Sequence, residues 1–375
     1  MKNSLLLLMT PNMSLEKWSQ LGQLSRELSF YDNLCKKANL KLIIYSYGRN
    51  DESFLKGYTD FKVICMPSWI PQNIPFKLQN FIYHFCSLFL FKGLFKQVAL
   101  AKTNQFRAFP FGILLKVFFK IPLAIRMGFY YSHFQKLSRF ARLKEWFAFK
   151  CCDLILTTST EAGSHIKHAY NINENKILSM SNNIDLDVFK PLALKKEYDI
   201  IFVGRLEQQK NISLLLEVLS KTNLKTLIIG KGNQASLIRK AQESNDNIIW
   251  KERVDNYTLP QYYNKARCFV ILSEYEGSPK ALLEAMACGL PCIGANTPGT
   301  RECIIDGING ISVEPEISDV IKALDALFKD DALAAQLGNG AALWVDAHCD
   351  MSKNIVRELE FYSGYLNSRG FAYSI

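Results

Sequence analysis

The sequence predicts an α/β fold of two domains, each a parallel sheet with crossover helices. Three observations carry this expectation. Short apolar runs of strand length alternate with helical runs along the chain, the pattern of repeated strand–helix–strand units. A fresh strand, YDIIFVG at 198–204, restarts the alternation near mid-chain. The segment SNNIDLDVFKPLALKKE (181–197) between the halves has no strong pattern and reads as a linker. The domains are drawn at 1–190 and 191–350, with a C-terminal helix over 351–375 able to pack back on the first.

Taken in order, 5–9 is a first buried strand, followed by a helix over 15–37 and a strand at 42–45. The second half runs as strand 198–204, helix 212–220, strand 224–230, helix 235–243, and strands 247–250 and 266–273. Two such domains joined by a linker would face each other across a cleft, with ligands at the carboxyl ends of the strands.

At 375 residues the chain is long enough for two cores, and its 49% hydrophobic and 21% charged content is that of a globular protein. The ten cysteines include no C-x-x-C pair, so reduced thiols in a cytoplasmic protein are expected rather than disulfides or zinc. The start, MKNSLLLLMTPN, is short for a signal peptide and suits a strand. The longest apolar stretch, 81–100, is interrupted by His84, Lys92 and Lys96 and is no spanning helix.

Charge is uneven. Residues 1–190 hold 25 Lys+Arg against 12 Asp+Glu, whereas 61–150 hold 14 basic residues and one acid, Glu145. Aromatics interleave with these cations, as in FIYHFCSLFLFKGLFK. No RNA-binding signature, zinc finger or repeat accompanies them, so nucleic acid is not the expected partner. An anionic membrane surface is, through Lys77, Lys92 and Lys96 with Phe85, Phe89, Phe91 and Phe95.

The chemistry concentrates in SEYEGSPKALLEAMACGLP (273–291). A buried strand ends near Ser273, Gly277 breaks the chain, Ser278 can cap, and Pro279 suits the first helical position. Pro279, Leu282, Leu283, Met286 and Leu290 share one stripe of the helix. Glu284 projects elsewhere, among the small residues Ala281, Ala285, Ala287 and Cys288, where a solvated face would carry Lys or Gln. A carboxylate packed there needs a partner. Glu276 precedes the helix N-terminus, and strand, glycine turn and helix start together suit an anion such as phosphate. Two glutamates bracketing a phosphate cradle would hold a sugar on one side and a ribose on the other.

Two more glycine turns follow strands. GRLEQQK (204–210) places Arg205 and Lys210 just past a strand end, where a diphosphate could be clamped, but it is not a Walker A loop. GKGNQA (230–235) matches only the relaxed dinucleotide fingerprint and lies mid-chain, so no nicotinamide cofactor is expected. Asp185-Leu186-Asp187 lies in the linker and reads as structural rather than metal-binding.

The array FVGRLEQQKN, GKG and SEYEGSPKALLEAMACGLPCIGANTPGTRECIIDGINGISV strongly resembles glycosyltransferase family 4, across the whole second half. The linker resembles that family's segment too, with Ser181 and Asn183 as departures. SLEKWSQLGQLSRELSFY, KTNQF and PLAIRMGFYYSHF in the first half resemble bacterial members that build surface polysaccharides: O-antigen, capsule or lipopolysaccharide. The resemblance implies the GT-B fold and a metal-independent, retaining transferase with no cofactor. It implies a UDP- or GDP-sugar donor and a glycan acceptor held on a lipid carrier. A soluble or protein acceptor, or a non-catalytic nucleotide-sugar-binding subunit, are the alternatives. It also implies a cytoplasmic protein, peripheral on the inner membrane face.

Carried over by position, Arg205 and Lys210 would bind the donor diphosphate, with Glu276 on the sugar and these three counted as catalytic. Gly204, Gly277, Ser278, Lys280, Ala281 and Glu284 would line the donor site, Glu284 on the ribose. The acceptor or sugar side is assigned to Gly22, Arg26, Arg126 and His133. Arg126-Met127-Gly128 stands where the family often has His-Asp, and no metal ligands are assigned.

Overall fold

The computed structural model describes residues 3–128 and 138–368. The chain divides into two compact units, Met1–Ser179 with Ile355–Ile375, and Met180–Asn354.

Among the described residues the first unit holds seven parallel strands: β1 (Ser4–Leu8), β2 (Lys41–Tyr45), β3 (Phe61–Ile64), β4 (Val98–Thr103), β5 (Leu123–Met127), β6 (Leu154–Thr157) and β7 (Ile177–Ser179). Their order is β3-β2-β1-β4-β5-β6-β7. Every residue of β1 and β4 is buried, as parallel strands covered on both faces require. One core joins Leu6, Leu8 and Ile43 to Tyr83, Phe111, Phe149 and Ile166. These last four come from helices α3 (Phe76–Leu90), α5 (Phe109–Phe119), α6 (Arg139–Cys151) and α7 (Thr160–Tyr170); the short α4 is Lys92–Phe95.

The helix expected over 15–37 is two, α1 (Leu15–Gln20) and α2 (Leu24–Lys37). Gly22 between them has φ 69, a left-handed turn that glycine adopts without a Cβ penalty. Asp51 ties down the first of these helices, accepting from the Leu15 N–H at 2.8 Å and the Glu16 N–H at 3.4 Å.

The second unit holds six parallel strands: β8 (Tyr198–Val203), β9 (Thr226–Ile229), β10 (Ile248–Lys251), β11 (Ala266–Ile271), β12 (Cys292–Ala295) and β13 (Ile311–Val313). Their order is β10-β9-β8-β11-β12-β13. Alternate residues feed two cores, Ile201, Phe269 and Ile271 on one face, and Ile200, Phe202 and Val270 on the other. Its helices are α8 (Ile212–Ser220), α9 (Ala235–Gln242), α10 (Leu259–Asn264), α11 (Lys280–Ala287), α12 (Ile317–Lys329) and α13 (Asp331–Cys349).

The chain enters the second unit at Met180, ahead of the boundary drawn at 190. The reason is packing: Ile184 and Phe189 join the second core, and the Ile184 N–H donates to the Cys349 carbonyl at 2.8 Å. Asp185 organises a turn there, its side chain accepting from the Asp187 N–H at 3.1 Å. The last helix, α14 (Met351–Ser368), belongs to the first unit from Ile355 onward. It buries Leu359, Tyr362 and Leu366 against Leu5, Leu34 and Leu100. Within that contact Lys102 of β4 and Glu358 form an ion pair, at 1% and 3% exposure. All ten cysteines are free thiols.

In each sheet the chain reverses its direction of winding once, between β1 and β4 and between β8 and β11. Loops leaving the carboxyl ends of strands at such a switch point form the crevice where open α/β sheets bind ligands. In the second unit those loops are 204–211 and 272–279.

Candidate active site

The loop after β8 is shaped by close backbone approach. The Gly204 N–H donates to the Ile229 carbonyl at 3.0 Å, and the Leu206 N–H to the Lys231 carbonyl at 3.0 Å. A Cβ at Gly230 would strike the Gly204 carbonyl oxygen, and one at Gly232 the backbone of Leu206. The GKG turn is therefore glycine-rich because it is pressed against the Arg205 loop. Leu206 is fully buried and anchors the loop, while Arg205 beside it is exposed. Among the described residues its guanidinium has no hydrogen-bond or ion-pair partner.

A 3-10 turn, Gln208–Lys210, follows, ended by Asn211 in a left-handed conformation at φ 51. Gln209 joins it to the loop after β11. Its Nε2 donates to the Tyr275 carbonyl at 2.6 Å, and its own carbonyl accepts from the Glu274 N–H at 2.9 Å. The two loops thereby bring Lys210 onto Glu276 in an ion pair, the side chains 11% and 9% exposed. The sequence singles out both residues but not their contact.

Glu276 is held from below as well. Its N–H donates to the Pro298 carbonyl at 2.9 Å. Gly299, with φ 82, lies so close that a Cβ would collide with the Glu276 carbonyl. Gly299→Ala is expected to destabilise the protein by about 1–3 kcal/mol through backbone strain, with the collision adding to it. Gly307→Ala is the control, since Gly307 has φ 71 but open space around it. Equal losses in urea unfolding would mean that the collision is relieved without cost.

Ser278 is a correction. The sequence pattern makes it the cap of the helix, but Pro279 occupies the N-cap position and, among the described residues, no side chain caps α11. The Ser278 hydroxyl accepts from the Asn182 N–H at 3.1 Å, and its carbonyl from Asn182 Nδ2 at 2.8 Å. Proline before the first turn fixes the entry of the chain, and the serine is drawn to the linker instead. The first turn, with Lys280 and Ala281 half-buried, presents its N–H groups without a side-chain cap.

Leu282 through Ala287 are all buried, so the helix is packed on most sides. Glu284, 4% exposed, accepts from the Tyr263 hydroxyl at 3.2 Å. Burial pushes that hydroxyl's pKa well above its ordinary value, and the Glu284 charge pushes the same way, so Tyr263 remains a donor. Sequence reasoning missed Tyr263, Gln209 and Asn182, whose roles depend on contacts across many residues. The TPG at 297–299 carried a readable signal, a proline–glycine turn directly after a strand.

The first-unit candidates are placed separately. Gly22 forms the turn described above, and Arg26 pairs with the adjacent Glu27 at 3.1 Å. Arg126, on β5, donates from Nη1 to the Asn104 carbonyl at 3.5 Å, and its N–H to Thr103 Oγ1 at 2.9 Å. His133 lies outside the described residues.

The switch-point crevice of the second unit thus holds a lysine–glutamate pair, an exposed arginine and a helix start without a side-chain cap, an arrangement chemically suited to an anion. Comparison with known proteins makes the class specific. Residues 183–344 match the family model of glycosyl transferases group 1. The O-antigen biosynthesis glycosyltransferase WbnH of Escherichia coli is 32% identical over 162 residues, 42% of this chain and 46% of that protein. A Campylobacter jejuni enzyme is 29% identical over 200 residues, half of this chain and 54% of its own length. It is named N-acetylgalactosamine-N,N'-diacetylbacillosaminyl-diphospho-undecaprenol 4-alpha-N-acetylgalactosaminyltransferase. The chain thus spans about half the length of the curated relatives it matches.

Among solved structures, sucrose-phosphate synthase from Thermosynechococcus elongatus superposes with a TM-score of 0.78 at 18% identity, covering 98% of this chain and all of that one. Anabaena Alr3699/HepE in complex with UDP-glucose gives 0.71 at 15% identity, covering 96% and 99%. These likenesses establish the fold as GT-B, the one the sequence resemblance implied.

Proposed function

We propose that the protein is a retaining, metal-independent glycosyltransferase that moves a sugar from a UDP- or GDP-sugar to a growing, lipid-carrier-linked glycan of a bacterial surface polysaccharide. The observation that carries this is the Lys210–Glu276 pair beside the uncapped start of α11, with Arg205 exposed in the neighbouring loop. The relatives named for O-antigen and diphospho-undecaprenol substrates, and the UDP-glucose complex, support the choice of donor and acceptor class.

In this reading the bond between the sugar's anomeric carbon and the diphosphate oxygen breaks as the acceptor oxygen bonds to that carbon from the same face. The acceptor proton passes to a phosphate oxygen of the leaving nucleoside diphosphate. Stabilising the charge that develops on this leaving group does most to lower the barrier. Arg205, Lys210 and the helix N–H groups supply that stabilisation, so turnover is expected to persist in chelator. Glu276 accepts from sugar hydroxyls while Lys210 holds its carboxylate in place. Glu284, already oriented by Tyr263, accepts from the ribose.

The two glutamates separate the ends of the donor experimentally. Glu284→Gln should weaken binding of the free nucleoside diphosphate by roughly 10-fold or more, the scale of a hydrogen bond to a charged group. Glu276→Gln should slow transfer while that binding stays near wild type. The reversed pattern, or activity that chelator abolishes and manganese restores, would overturn the assignment.

A further inference from the structure

The outer side of the first unit's helical layer carries aromatic side chains that, among the described residues, nothing covers. Helix α5 touches both α3 and α6, and the inward residues of all three share one core with β1. Their outward residues are apolar too. On α3, Phe81, Phe85 and Phe89 recur every fourth residue, so they form a stripe, with Phe81 68% and Phe89 67% exposed. The Phe85 and Phe89 rings lie 5.4 Å apart. On α6, Phe140, Leu143, Trp146 and Phe147 repeat the pattern at helical spacing, and Phe118 on α5 is exposed as well.

Scattered exposed apolar residues are ordinary, but stripes on α3 and α6, with exposed Val117 and Phe118 on the α5 that touches both, form a patch of the kind that marks an interaction site. Its charge identifies the occupant. Lys77, Lys92, Lys96, Arg139, Arg142 and Lys144 are exposed on the same helices or just beyond their ends. The one acid between 61 and 150, Glu145, is buried and hydrogen-bonded to Tyr170. A protein partner's surface would ordinarily mix signs, whereas exposed aromatics and cations on helices that expose no acid fit an anionic bilayer. Among the described residues no helix is long and apolar enough to cross a membrane.

We propose that the outward faces of α3, α5 and α6 form one membrane-insertion surface, aromatic side chains entering the acyl boundary and the cations resting on anionic headgroups. This revises the set of residues expected from the sequence. Phe95 is fully buried and Phe91 packs against the core, while the α6 stripe, which the sequence alone does not single out, joins Phe85 and Phe89. The proposal does not rest on the transfer reaction, and its test uses neither donor nor acceptor.

The full chain is mixed with vesicles of phosphatidylcholine, with or without phosphatidylglycerol, and separated by flotation. Binding should require the anionic lipid and weaken in high salt. Phe85→Ser with Phe89→Ser should reduce it by roughly 10-fold or more, since both signals are needed for stable anchoring. These side chains are exposed, so the thermal unfolding midpoint should hold. Trp146 emission should shift to the blue on binding and be quenched by brominated acyl chains, and Trp146→Phe should remove that quenched component. No flotation at low salt, or flotation with Trp146 unquenched, overturns the proposal. So does a dimer without lipid that the Phe85 and Phe89 substitutions dissolve, which would make the patch a self-association face.

Discussion

Lys210→Ala is expected to lower the rate of sugar transfer by roughly 10²-fold or more at saturating donor, the scale for losing one preorganised charge stabiliser. The position of Lys210 explains why no other side chain would substitute. Its stem passes Gly204, and its turn is fastened to the Tyr275 loop through Gln209, so the ammonium group is fixed before donor arrives. The same substitution leaves Glu276 largely buried without its cation, so a loss of stability accompanies the loss of rate. Lys210→Ala combined with Glu276→Gln separates the two effects. The double variant should regain stability but not turnover. If Lys210→Ala keeps normal turnover at saturating donor, the lysine has only a structural role.

The second large effect concerns the buried ion pair of the first unit. Lys102→Ala should destabilise the protein by about 3–5 kcal/mol, the usual cost of removing one partner of a buried pair. Burial pushes the Lys102 pKa down, and the Glu358 carboxylate opposes that shift. Glu358 also accepts from the Tyr362 hydroxyl at 2.6 Å, and the Phe30 and Tyr31 rings lie 5.0 and 5.2 Å from Lys102 Nζ. Glu358→Gln should cost less, since the amide oxygen still accepts from Lys102. Replacing both partners, as Lys102→Met with Glu358→Leu, should restore most of the stability, because no charge is then left buried. Urea unfolding decides. A double variant as weak as Lys102→Ala would mean that packing, not charge, sets the cost.

Six of the thirteen described strands were legible, because parallel strands buried on both faces are continuous apolar runs. Those at 198–204 and 266–273 appear as β8 and β11 with their ends shortened by one or two residues. The 15–37 stretch reads as one helix because its apolar spacing continues across Gly22, and a single positive φ leaves no trace in that period. Glu276, Glu284 and Lys210 were legible because a charged residue in an otherwise apolar or glycine-rich stretch needs a reason. Their partners were not. Tyr263 reads as one more core aromatic, and Lys102 as an ordinary lysine in a strand, until a residue 256 positions away supplies its carboxylate. Exposure of the α6 stripe was equally hidden, since composition cannot tell a phenylalanine facing the core from one facing outward.

The return of α14 to the first unit has a consequence for biosynthesis. A nascent chain emerges in order, so Met180–Asn354, contiguous in sequence, is complete before Glu358 leaves the ribosome. Until then Lys102 of β4 lacks its ion-pair partner, and Leu5, Leu34 and Leu100 lack the cover of Leu359 and Leu366. The half synthesised first is therefore the half finished last. Any step that delays α14 prolongs a state with a raw hydrophobic flank, the kind of surface that chaperones hold and that proteases find.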